Sequence, residues 1–80
     1  MLMRLRKRPL SLRILEILEE AEEPMTVIDL QVATGRHWFI VWMSVLSLSN
    51  KCQVLVAPND ERKIGYCLAP RGLKRLQASA

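Results

Sequence analysis

The sequence is poor in the residue types that build reactive sites. It holds one histidine, two cysteines, three glycines and one tyrosine, and only 5% of it is aromatic. His37 stands alone, with no Ser–His–acid or Cys–His company, and no glycine-rich loop is present to cradle a phosphate. No catalytic residue is assigned, and the chain is not read as an enzyme. Cys52 and Cys67 lack further ligands, so no metal site and no cofactor are expected. Both are read as small buried hydrophobes in strands. The longest uncharged stretch, His37–Asn50, has 14 residues, too short to cross a bilayer and suited to a buried helix. The basic start, MLMRLRKRPLSLRILE, does not read as a leader, because Arg13 and Glu16 interrupt the apolar segment. The expectation is one soluble, cytoplasmic domain over residues 1–80 with no membrane partner and no internal repeat.

What the chain does have is apolar bulk and divided charge. Half of its 80 residues are hydrophobic, enough to bury against the ordering entropy and to argue against a disordered tail. The length is too small for a dinucleotide or barrel fold, and small domains often complete their burial by oligomerising. The net charge of +4 has structure. Residues 1–13 carry Arg4, Arg6, Lys7, Arg8 and Arg13 and no anion. Residues 14–30 carry six acids, from Glu16 to Asp29, and no cation. The remainder holds seven cations against Asp60 and Glu61. Such segregation suits an anionic partner at the basic parts, although plain solvation is the alternative use of each block.

Hydrophobic spacing sets out the elements. Pro9 and Ser11 open a first helix whose stripe is Leu10, Ile14, Ile17, Leu18 and Ala21, with Glu16, Glu19, Glu20 and Glu23 on the opposite face. Pro24 ends it, and Leu12 falls outside the stripe and is expected to be exposed. Thr26 and Asp29 form a capping-box-like start to a short second helix. Val27, Leu30 and Ala33 face inward there, and Thr34-Gly35 closes it. A third helix covers His37–Asn50. Gln53–Ala57 reads as a strand, Pro58-Asn59-Asp60 as turn chemistry and Ile64–Leu68 as a returning strand. Pro70 breaks that strand, and Gly72–Ala78 makes one or two frayed helical turns carrying Arg71, Lys74 and Arg75. The fold class is α+β: three helices, a two-stranded hairpin wing and a short C-terminal helix, preceded by a basic arm over residues 1–9.

That order, with the segments LRILEILEE, PMTVIDLQVATG and YCLAPRGLKRL, resembles the winged helix-turn-helix of PadR-like and MarR-like bacterial regulators. The last segment is similar to a Y-x-L-T-x-x-G-x-x-x-L signature at the end of the wing. Ala69 stands where that signature has Thr, which removes an N-cap from the tail helix. Cys52 stands where such proteins often carry Gly after the third helix. The resemblance implies a small transcriptional regulator of prokaryotic or phage type that binds double-stranded DNA as a dimer. It makes the third helix the recognition helix in the major groove. Arg36 and His37 at its head, with Ser44 and Ser47 along it, are then the base-reading candidates. Arg62 and Lys63 on the wing, and Arg4, Arg6, Lys7 and Arg8 on the arm, follow the backbone or the minor groove. Asp60 and Glu61 at the wing tip oppose such contacts.

The third helix itself points elsewhere. With Val41, Val45 and Leu48 inward, its other faces carry Trp38, Phe39, Ile40, Trp42, Met43 and Leu46. A base-reading face usually offers Arg, Asn, Gln, Ser or Thr instead. Those six residues either fill the core or form an exposed apolar face, and an exposed face marks a protein contact. A winged-helix module for protein interaction, acting as an inhibitor, accessory subunit or self-associating unit, is therefore the competing expectation.

Overall fold

The computed structural model of the chain describes residues 9–58 and 63–79. Within them the order is α1 (Leu10–Glu20), α2 (Val27–Thr34), α3 (Trp38–Asn50), β1 (Val54–Pro58), β2 (Ile64–Leu68) and α4 (Pro70–Ser79). This is an α+β arrangement of four helices and one antiparallel hairpin. Arg4, Arg6, Lys7 and Arg8, expected as a basic arm, and Asp60, Glu61 and Arg62, expected at a wing tip, lie outside the described residues.

Helix α1 is the hub, in contact with α2, α3, α4 and β2. Ile14, Leu15 and Leu18 are buried on it, and Leu10, Leu12 and Ile17 pack partly buried against the same core. Leu12 is thus half-buried rather than exposed, and Leu15, which the stripe omits, is fully buried. Four neighbouring elements enclose more of a helix than one narrow stripe covers. The helix also stops at Glu20, with Ala21 already extended, so Ala21 and Glu23 do not continue its faces. The chain must run extended to reach β2, where Met25 N–H donates to the Tyr66 carbonyl at 3.0 Å and Tyr66 N–H donates back at 2.8 Å. Pro24 favours this by disfavouring helical backbone at Glu23.

Helix α2 begins with the reciprocal cap. Asp29 N–H donates to Thr26 Oγ1, and Thr26 N–H donates to Asp29 Oδ2, both at 3.1 Å. Gly35 ends it in the left-handed region at φ 72°, where a side chain is disfavoured. Leu30 and Thr34 are its buried pair, Val27 is half-buried, and Ala33 is exposed rather than inward. Thr34 can be buried because its hydroxyl donates to the Leu30 carbonyl at 2.8 Å.

After α3 the chain turns through Lys51 and Cys52. Cys52 is exposed and left-handed, at φ 60°. It belongs to the turn, not to a strand or the core; Cys67 is half-buried on β2. β1 and β2 pair from Val54↔Leu68 to Pro58↔Ile64. Val54 alone on β1 is buried, whereas Tyr66 and Leu68 of β2 pack partly buried against the core. Pro58 is tolerated because a two-stranded sheet leaves an edge free of ladder bonds.

Helix α4 is a full ten residues rather than a frayed turn. Pro70 sits at its first position, where a missing N–H costs nothing, and Leu73 N–H makes the opening bond to the Ala69 carbonyl at 3.0 Å. Leu76 is buried against the core. Gly72 has a steric reason: a Cβ there would collide with the Gln53 carbonyl oxygen and come within 2.8 Å of Leu68 Cδ1.

Candidate functional site

Helix α3 is held by one face only. Val41 and Val45 are fully buried and Leu48 is 1% exposed, a spacing of four and three that follows the helical period. The remaining apolar residues lie outside: Trp38 and Phe39 are each 49% exposed, Ile40 45%, Met43 50%, and Trp42 and Leu46 each 37%. The open choice between core and surface is thereby decided. These six side chains form an uncovered apolar face.

The N-terminal half of that face is a contiguous aromatic cluster. Trp38 and Phe39 meet edge-on with centroids 5.8 Å apart, and Trp42 lies 6.5 Å from Trp38 and 6.1 Å from Phe39. Such spacings fall in the range of favourable aromatic pairs. The rings therefore shield one another partly while leaving a broad apolar surface to solvent.

Polar groups border the cluster. His37 is the N-cap of α3, its Nδ1 accepting from Phe39 N–H at 3.1 Å. One ring nitrogen is thus committed to the fold, and Nε2 is left to donate outward. Arg36 and His37 are both exposed, and Arg36 N–H donates to Thr34 Oγ1 at 3.3 Å. Ser47 is exposed and Ser44 half-buried. Lys63 is exposed at the foot of β2.

Of the residues singled out by sequence, the structure brings Trp38, Phe39, Ile40, Trp42, Met43 and Leu46 to one surface, with Arg36 and His37 at its head. A second group drew less notice in the sequence. Arg71, Lys74 and Arg75 of α4 meet Lys51 and Gln53 of the α3–β1 turn around an open concavity. The i, i+3, i+4 spacing of the tail cations was visible, but their meeting with Lys51 depends on a contact between distant segments. Among the described residues no group of His, Cys, Asp or Glu could hold a metal ion, and no helix is long and apolar enough to cross a membrane. No protein-family model and no curated protein sequence matches the chain.

Proposed function

We propose that the chain is a winged-helix interaction module whose α3 outer face docks on a second copy of the same chain. The helix–helix–helix–strand–strand–helix order supports the winged-helix reading, with α3 in the position of the recognition helix of PadR-like and MarR-like regulators. The observation that carries the docking is the exposure of Trp38, Phe39, Ile40, Trp42, Met43 and Leu46 on one element. Large apolar patches of this kind mark protein contacts.

Area and charge favour a self-contact. An aromatic side chain offers about 150–250 Å². At exposures near one half, the six side chains present roughly 500 Å² by the same reckoning. A standard interface takes about 800 Å² per partner, so this face supplies most of one. None of the six is charged, and a two-fold contact therefore sets no like charges against each other. Sedimentation at two protein concentrations tests the reading: the weight-average mass should rise towards a dimer and fall back in Phe39→Ala/Met43→Ala. A mass that stays monomeric across the range sinks it.

A second reading keeps its own observation, the exposure of both Arg36 and His37 at the head of α3. There the chain is a DNA-binding transcriptional regulator. Arg36 and His37 meet base edges or phosphates, Ser44 and Ser47 contribute along the helix, and Lys63, Arg62 and the arm cations follow the backbone. Titration of duplex DNA into wild type and Arg36→Ala at low salt checks it. Equal binding by the two proteins removes α3 as the reader.

A further inference from the structure

Helix α4 carries Arg71, Lys74, Arg75 and Ala78 at i, i+3, i+4 and i+7, which is one helical face. With Lys51 and Gln53 from the α3–β1 turn, that face borders an open concavity of about 480 Å³. Four of the six lining residues are cations and none is an acid. Like charges gathered this closely repel one another, and the repulsion is relieved when an anion enters.

The site is partly organised in advance. Arg75 is half-buried, with Nη1 donating to Gln53 Oε1 at 2.8 Å and Nη2 donating to Ser11 Oγ at 3.2 Å. Those bonds fix the plane of the guanidinium and leave its remaining N–H groups for a ligand. Lys51, Arg71 and Lys74 are exposed around it. Arg71 and Arg75 are four residues apart, about 6 Å along the helix axis, so the cations form a row rather than a point. A row of cations in an open groove suits a polymer of regularly spaced phosphates better than a single small anion, which is held best in an enclosed pocket.

We propose that this groove binds the phosphodiester backbone of a nucleic acid, without reading its sequence. The site is distinct from the α3 face and does not rest on what covers that face. Its test is anisotropy of a short labelled DNA duplex of mixed sequence with the full chain, over a series of salt concentrations. Arg71→Glu/Lys74→Glu should lower affinity about tenfold or more and flatten the slope of log affinity against log salt by about two. Arg36→Ala/His37→Ala should lower affinity less than the α4 pair does, which separates this groove from the reading that puts DNA on α3. Both α4 side chains are exposed, so circular dichroism should be unchanged; the neutral pair Arg71→Gln/Lys74→Gln gives a smaller loss in the same direction. Full affinity in both α4 variants overturns the proposal. So does a loss centred on Arg36 and His37, which returns DNA to α3. Binding to phosphatidylserine vesicles but not to the duplex also overturns it, as does binding abolished by millimolar inorganic phosphate at constant ionic strength.

Discussion

Two leucines on α3 allow the orientation of that helix to be measured. Leu48 is 1% exposed and sits in the core with Val41 and Val45, whereas Leu46 is 37% exposed on the opposite side. Truncating Leu48 to Ala removes a fully buried side chain and leaves a cavity lined by neighbours from other elements, a change that costs about 2–5 kcal/mol. Full burial of a leucine is worth about 1.5–3 kcal/mol. Leu46 retains part of that burial and leaves no enclosed cavity, so Leu46→Ala should cost about 1 kcal/mol in the monomer. The gain in helix propensity is the same small amount for both. Against a total of roughly 4–12 kcal/mol for a chain of this length, the first change removes a large share and the second a small one. Urea denaturation followed by far-ultraviolet circular dichroism at low protein concentration reads the difference. At high concentration the proposed self-docking would add stability to the wild type, and Leu46→Ala should then lose more. Equal losses from the two variants in dilute solution would refute the orientation of α3 and the exposed face built on it.

Cys52→Gly should raise stability by about 0.5–1 kcal/mol, since it relieves a left-handed residue costing about 1–2 kcal/mol while adding unfolded-state freedom; a lower melting temperature than wild type contradicts it. Gly72→Ala should destabilise by about 1–3 kcal/mol despite alanine's better helix propensity, because the added methyl meets the Gln53 carbonyl and Leu68; an unchanged urea midpoint contradicts the close approach.

The parts legible in sequence were those set by local chemistry. The Thr26–Asp29 cap, the Gly35 stop and the strand Ile64–Leu68 follow from side chains acting on their own backbone, and each stands where the pattern puts it. Val41, Val45 and Leu48 follow the helical period and are the buried set of α3, but the sequence left open whether Trp38, Phe39, Ile40, Trp42, Met43 and Leu46 join them, because the helix is apolar on nearly every side. What escaped was set by distant partners. Leu15 and Leu12 are covered because four elements surround α1. Thr34 replaces Ala33 inside because a hydroxyl bonded to the Leu30 carbonyl can be buried. Cys52 left the strand because the α3–β1 turn needs a left-handed residue. The meeting of Lys51 with α4 is likewise a product of the tertiary fold.

The distribution of polar and apolar groups on α3 bears on how the chain could meet a nucleic acid at all. A helix lying in a major groove works by exchanging its hydration for hydrogen bonds to base edges. Trp38, Phe39, Ile40, Trp42, Met43 and Leu46 offer no such donor except the indole N–H groups of Trp38 and Trp42, while burying them against polar base edges and phosphates would leave most of those edges unpaired. Against another apolar surface the same side chains lose only water. Arg36, His37 and Ser47 border this surface, so a partner that uses them must also accommodate the aromatic cluster beside them. The cations around the α4 groove carry no comparable penalty: Lys51 of the α3–β1 turn and Arg71 and Lys74 of α4 are exposed, and no acid lines the groove. Covering α3 with a second copy and meeting phosphate through α4 therefore satisfies both surfaces, whereas placing α3 in a groove satisfies only its head.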